Sequence, residues 1–203
     1  MKNIYQKILF IPLLFYSSSL IIAQEAGISG ISSTTHERLG IYTNRGGDFE
    51  LIGPDGKDIS SEDFRGKVVL IYFGYTFCPD TCPTSLSQLK MVMLGLKKKA
   101  KYVQVLFITI DPERDNYEKL RDYVAYFYPT FIGLTGSVKE IEVVTKHYGS
   151  SFFKQYIESR EGYLMTHTDA VFLVDQFGRY RGRYKTKWDM EELLGDVQWL
   201  LDN

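Results

Sequence analysis

The chain has 203 residues, 44% apolar and 24% charged, with 24 Lys and Arg against 25 Asp and Glu for a net charge of −1. That length buries a substantial core without disulfide staples, so one domain is expected, with room for an appendage. The balanced charge gives no argument for a nucleic-acid partner, and the aromatic share of 15%, half of it Tyr, is the composition of amphipathic packing at core and rim.

The N-terminus reads as a targeting segment. Lys2 and Lys7 lead into the apolar stretch Ile8 to Ile22, broken only by Pro12 and Ser17 to Ser19, and Ala23 is followed by polar Gln24 and Glu25. The stretch is roughly 15 residues, short of the about 20 of a spanning helix. Residues 1–23 are therefore expected to be a signal peptide cleaved near Ala23 or an uncleaved N-terminal membrane anchor. Either route exports the domain, to the periplasm or to the outer side of an inner membrane, where disulfides persist. Residues 24–38 are rich in Ser, Thr and Gly without periodicity, as in a flexible tether, and the folded domain is expected over residues 39–203.

Phe49 to Ile52 followed by Gly53-Pro54-Asp55-Gly56 predicts a short strand and turn. Lys67 to Phe73 is a continuous apolar run with β-branched residues, the pattern of a strand covered on both faces. Thr81 to Leu96 carries Leu86, Leu89, Met93 and Leu96 at helical spacing, with Lys97 to Lys99 at its end, where cations suit the helix dipole. Val103 to Ile110 predicts a second buried strand, closed by Asp111-Pro112. A helix follows over Tyr117 to Phe127, capped by Asp115 or Asn116. Phe131 to Leu134 is strand-like, and Ser137 to Tyr148 is helical, with Ser137 and Glu140 spaced as a capping box. The segment between Gly149 and Met165 has no signature and reads as a mobile loop. Its motion is expected to bring His167 towards the cysteines. Ala170 to Val174, the turn Asp175 to Gly178 and Arg179 to Tyr184 predict a hairpin. The last helix runs from Asp189 to Leu201, with Thr186 as the expected cap. Alternating strands and helices predict an α/β fold, a central mainly parallel sheet flanked by helices, with the late hairpin as an antiparallel edge.

Cys78 and Cys82 are the only cysteines. They lie where a buried strand hands over to a helix, at the carboxyl end of a central strand, where α/β sheets place their sites. Free N–H groups at the helix start favour thiolate over thiol. Residues four apart on a helix lie about 6 Å apart at Cα, which suits a disulfide and equally suits two thiolates on one soft ion. Copper is the natural ion, since thiolate selects it and few ligands satisfy Cu(I). A structural zinc site would want four protein ligands. His167, in Met165-Thr166-His167-Thr168-Asp169 directly before a strand, is the best third ligand. His147 sits at a helix end and His36 in the tether, and Met165 is a packing residue.

Gly74-Tyr75-Thr76-Phe77-Cys78-Pro79-Asp80-Thr81-Cys82-Pro83-Thr84 resembles the signature of the Sco/SenC family. So do Thr109-Ile110-Asp111-Pro112-Glu113-Arg114-Asp115, Phe131-Ile132-Gly133-Leu134-Thr135-Gly136, and His167-Thr168 leading into Phe172-Leu173-Val174-Asp175 and Gly178. The resemblance covers Phe49 to Leu201 and implies a thioredoxin-like fold. It implies a metallochaperone that binds copper, as Cu(I), Cu(II) or both, through Cys78, Cys82 and His167. The implied target is the binuclear centre in the copper-binding subunit of cytochrome c oxidase, with other small copper chaperones as further partners and the membrane close by. Asp111 matches an acidic position near the family's site, and reads equally as a strand-end carboxylate capping a turn. Ordinary thioredoxin-like oxidoreductases carry a proline just before the strand facing their cysteines. Here Thr168-Asp169 takes that place beside His167, which points to metal rather than general disulfide exchange. Two other readings stay open: a thiol-disulfide oxidoreductase acting on the oxidase's copper-site cysteines through the Cys78–Cys82 redox pair, and a redox sensor or peroxide reductase without obligatory copper.

Overall fold

The computed structural model describes residues 39–156, 162–185 and 187–203. The expected signal or anchor, the tether with His36, and Thr186 lie outside the described residues. Among the described residues no helix is long and apolar enough to cross a membrane.

Five strands form the central sheet, in the order β5 (Ile132–Leu134), β4 (Val103–Thr109), β3 (Val68–Gly74), β8 (Ala170–Val174), β9 (Tyr180–Lys185). β3 runs parallel to β4 and β4 to β5, whereas β8 is antiparallel to both β3 and β9. The sheet is thus mixed, as the sequence predicts. Every residue of β3, β4 and β8 is buried, which is why these strands read as unbroken apolar runs.

Among the described residues four α-helices flank the sheet: α1 (Thr81–Leu96), α2 (Tyr117–Phe127), α3 (Val138–His147) and α4 (Met190–Asp202). α1 packs on α4, and Lys99, just past the end of α1, bonds Asp202 at 2.6 Å. Ser137 and Glu140 form the expected capping box on α3. Asn116 caps α2 by accepting the Lys119 N–H at 2.9 Å, and Asp189 caps α4. Asp115 is released from capping and takes another task, described below.

Among the described residues two further strand pairs lie outside the sheet. β1 (Glu50–Ile52) pairs with β2 (Asp58–Ser60), a three-residue strand with one apolar side chain and so without a legible pattern. β6 (Phe152–Tyr156) pairs with β7 (Tyr163–His167). This second hairpin corrects the expectation of a mobile loop. β6 buries neither face fully, so it lacks the alternation that marks a half-buried strand. The residues at its tip, 157–161, lie outside the described residues.

The registry matters for function. Gly74 stands opposite Thr109 and Tyr72 opposite Val171. The carboxyl end of β3 therefore meets the carboxyl end of parallel β4 and the amino end of antiparallel β8. The cysteine loop leaves from the first, the Asp111–Asp115 turn from the second, and His167 arrives just before the third.

Candidate metal centre

β3 ends at Gly74, whose carbonyl accepts the Ile110 N–H at 2.8 Å. A methyl group on Gly74 would sit 2.7 Å from the Phe107 ring and 3.0 Å from Cys82 Sγ. Glycine here lets α1 come close enough to bury Cys82 against the strand end.

The loop that follows is held by Asp115, which is fully buried. Its carboxylate accepts the Thr76 N–H at 2.9 Å, the Thr76 hydroxyl at 2.5 Å and the Thr109 hydroxyl at 2.9 Å. Lys119 Nζ lies 3.4 Å away. One carboxylate thus ties the cysteine loop to the end of β4 and the start of α2. The sequence offered Asp115 only as a cap, because its Thr76 partner is 39 residues distant.

α1 starts at Thr81 with no capping bond from the Asp80 side chain. Instead the Cys82 N–H donates to Cys78 Sγ at 3.3 Å. A sulfur that accepts an unfilled helix N–H is favoured as thiolate. The Cys82 thiol, donating to Cys78, lowers the Cys78 pKa most. Burial opposes it, and His167 with the Cys82 and Asp80 N–H groups brings the value down to about 4. Cys82, fully buried, is pushed the other way, first by burial and then by its bond to Cys78. The pair shares one proton, held on Cys82. The two cysteines are not joined in a disulfide, and Cys78 is half-buried.

His167 ends β7. Its Nδ1 lies 3.2 Å from the Thr168 carbonyl and its Nε2 lies 3.7 Å from Cys82 Sγ. The ring makes T-shaped contacts with Tyr72 and Tyr75, each with centroids 6.2 Å away and planes at 88°. The Tyr72 hydroxyl donates to Asp169 at 3.0 Å, and Ser85 on α1 reaches the same oxygen at 3.5 Å. The donor atoms of Cys78, Cys82 and His167 all lie within 4.8 Å of one another. His167 thus stands beside the cysteines without any hairpin rearrangement.

Asp111 lies outside this group of three. Its carboxylate accepts Arg114 Nε at 2.5 Å and the Tyr163 hydroxyl at 2.8 Å. It braces the end of β4 against the first residue of β7, the strand that delivers His167. His147 is exposed in the last turn of α3, and Met165 is a core residue at 6% exposure.

The SCO1/SenC family profile matches residues 41–202. The chain belongs to the SCO1/SenC family. This SCO1/SenC chain is 39% identical over 136 residues to the SCO2-like protein of Rickettsia conorii. That match covers 66% of each protein, so the chain spans just under two thirds of this relative's length. Among solved structures it resembles Bradyrhizobium japonicum ScoI with copper bound, with a TM-score of 0.70, 36% identity, and coverage of 77% of this chain and 99% of that one. It also resembles BsSco, described as a member of the Sco family of cytochrome c oxidase assembly proteins with a disulfide switch. There the TM-score is 0.63 at 25% identity, covering 80% of this chain and 96% of that one. The fold is thioredoxin-like, as these SCO1/SenC neighbours and the mixed, helix-flanked sheet agree.

Proposed function

We propose that this chain is a copper metallochaperone. One copper ion binds to Cys78, Cys82 and His167 and passes by ligand exchange to the binuclear copper centre of cytochrome c oxidase. The observation that carries this is the convergence of two sulfurs and one imidazole nitrogen within 4.8 Å, with His167 Nε2 3.7 Å from Cys82 Sγ. Two thiolates suit Cu(I), and the imidazole also accommodates Cu(II). Donation from Nδ1 to a backbone carbonyl is the orientation that metal-binding histidines usually receive. Copper bound in ScoI and cytochrome c oxidase assembly in the BsSco family support the cargo and the destination.

Asp111 supports the site at one remove, by bracing β7. The reading of residues 1–23 as a signal peptide or anchor supports work outside the cytoplasm, on the outer side of a membrane. Smaller copper chaperones are the natural donors there.

The test is copper titration of the reduced full chain, with the metal bound counted against a chromogenic chelator. One ion per chain is expected, with affinity lost in Cys78→Ala, Cys82→Ala and His167→Ala. Tight one-to-one binding that survived all three substitutions would rule the site out.

A second role rests on the asymmetry of the pair. Half-buried Cys78 is a thiolate and buried Cys82 a thiol. That is the division of labour of a dithiol reductant: Cys78 attacks a disulfide on the oxidase's copper-binding subunit, and Cys82 resolves the mixed disulfide. The partner gains two thiols and the pair leaves as a disulfide, which no longer binds metal. This activity should persist in His167→Ala, whereas copper delivery should not.

A further inference from the structure

A second site lies on the outer edge strand β9, two strands from β3, and shares no residue with the metal centre. It is a cavity of about 330 Å³ lined by Leu39, Tyr42, Arg45, Tyr180, Gly182, Tyr184 and two further arginines, Arg181 and Arg183. No carboxylate lines it among the described residues. Two carboxylates touch the lining from behind, and both are buried. Asp175 accepts Arg181 Nη1 at 3.0 Å, and Asp196 accepts the Tyr184 hydroxyl.

The three arginines are not equivalent. Arg181 is a buried floor, its guanidinium bonded to Asp175 and to the carbonyls of Leu39 and Gly40. Arg45 and Arg183 are exposed, and neither makes an ion pair among the described residues. They converge on one turn. Arg183 Nη1 donates to the Gly149 carbonyl at 3.3 Å, and a methyl group on Gly149 would lie 1.4 Å from Arg45 Nη1. The loop carrying Arg45 is itself fixed, since the Gly46 N–H donates to the His147 carbonyl at 2.9 Å. Both charges also act on the Tyr180 hydroxyl, offsetting part of the rise that burial causes.

Two exposed guanidinium groups, both close to Gly149 and without an ion pair among the described residues, beside a cavity without carboxylates, are the arrangement that grips a tetrahedral oxyanion. We infer that the β9 pocket binds a phosphate group, held by Arg45 and Arg183. The same chemistry is offered by free phosphate and by a phospholipid headgroup. Leu39 lines the pocket 17 residues after Ile22, the end of the apolar stretch. Seventeen residues span at most about 60 Å, so a retained anchor keeps the pocket within reach of headgroups. The inference does not depend on copper.

The test uses the reduced full chain in two arms. In the first, inorganic phosphate is titrated and the amide resonances of Gly149 and Gly182 are followed. In the second, partition is measured onto vesicles of phosphatidylcholine with and without phosphatidylglycerol. Arg45→Ser/Arg183→Ser is compared with Lys98→Ser/Lys101→Ser, which removes the same charge from an exposed turn outside the pocket. Thermal melts and copper binding check that both variants are folded and loaded. Saturable shifts are expected in wild type, weakened at least about tenfold in the arginine variant, as loss of charge-assisted bonds requires, and unchanged in the lysine variant. Loss in the phosphate arm alone assigns a soluble phosphate, and loss of the phosphatidylglycerol-dependent partition assigns a headgroup. No binding in either arm, or equal weakening in the lysine variant, overturns the site.

Discussion

The Cys82 N–H donates to Cys78 Sγ at 3.3 Å, so the sulfur of one cysteine occupies the helix-capping place that Asp80 leaves empty. Four-residue spacing acquires its meaning from this bond. The first cysteine becomes a half-buried thiolate and the second a buried thiol beside it.

Because the Cys82 thiol and the helix N–H groups hold Cys78 near a pKa of about 4, Cys78 is ionised across the neutral range. Iodoacetamide should modify Cys78 well before Cys82, at a rate nearly flat from about pH 6 to 8. A rate that instead climbed steadily with pH towards the ordinary thiol value of 9.0 would contradict the capping arrangement.

Asp115 holds the cysteine loop through Thr76 and Thr109. Asp115→Ala should cost about 3 kcal/mol in urea unfolding, since it removes a buried charge that several donors share. Glu113→Ala breaks only the exposed pair with Lys154 and should cost less than about 1 kcal/mol. Copper affinity should fall in the first variant and hold in the second.

At Gly74 the prediction is steric. A Cβ there meets the Phe107 ring and Cys82 Sγ, so Gly74→Ala should lower stability by about 1–3 kcal/mol. It should also change the spectrum of bound Cu(II), because the displaced sulfur is one of the three proposed ligands. An unchanged spectrum with full stability would mean that α1 slides to make room.

Burial alone would raise the Asp175 carboxyl. Arg179, through its N–H and guanidinium, then Arg181 and the Phe177 N–H, together hold it below its ordinary value of 3.8. A depressed folded value contributes stability that is present above pH 3.8 and is lost as the pH falls towards the folded value. Asp175→Asn should therefore lower the neutral-pH melting temperature and flatten the acid limb of the stability profile below about pH 4. Equal acid slopes in both proteins would refute this role.

Much of the fold was legible in the chain. β3, β4 and β8 are buried on both faces, so their sequences are apolar throughout, and the capping box of α3 lies within four consecutive residues. β6 was not legible, because a strand exposed on most positions has no hydrophobic period. Nor was the task of Asp115, which depends on a partner 39 residues away.

By itself the sequence determined the chemistry available: two soft sulfurs four residues apart at a strand-to-helix junction, and a histidine before a later strand. Only the tertiary structure decided that they meet. Antiparallel pairing of β8 with β3 puts the amino end of one strand beside the carboxyl end of the other, and the β6–β7 hairpin, braced by Asp111 on Tyr163, aims His167 into the gap. Local sequence specifies residue types and periods, whereas the approach of groups 85 residues apart is fixed by sheet registry and packing.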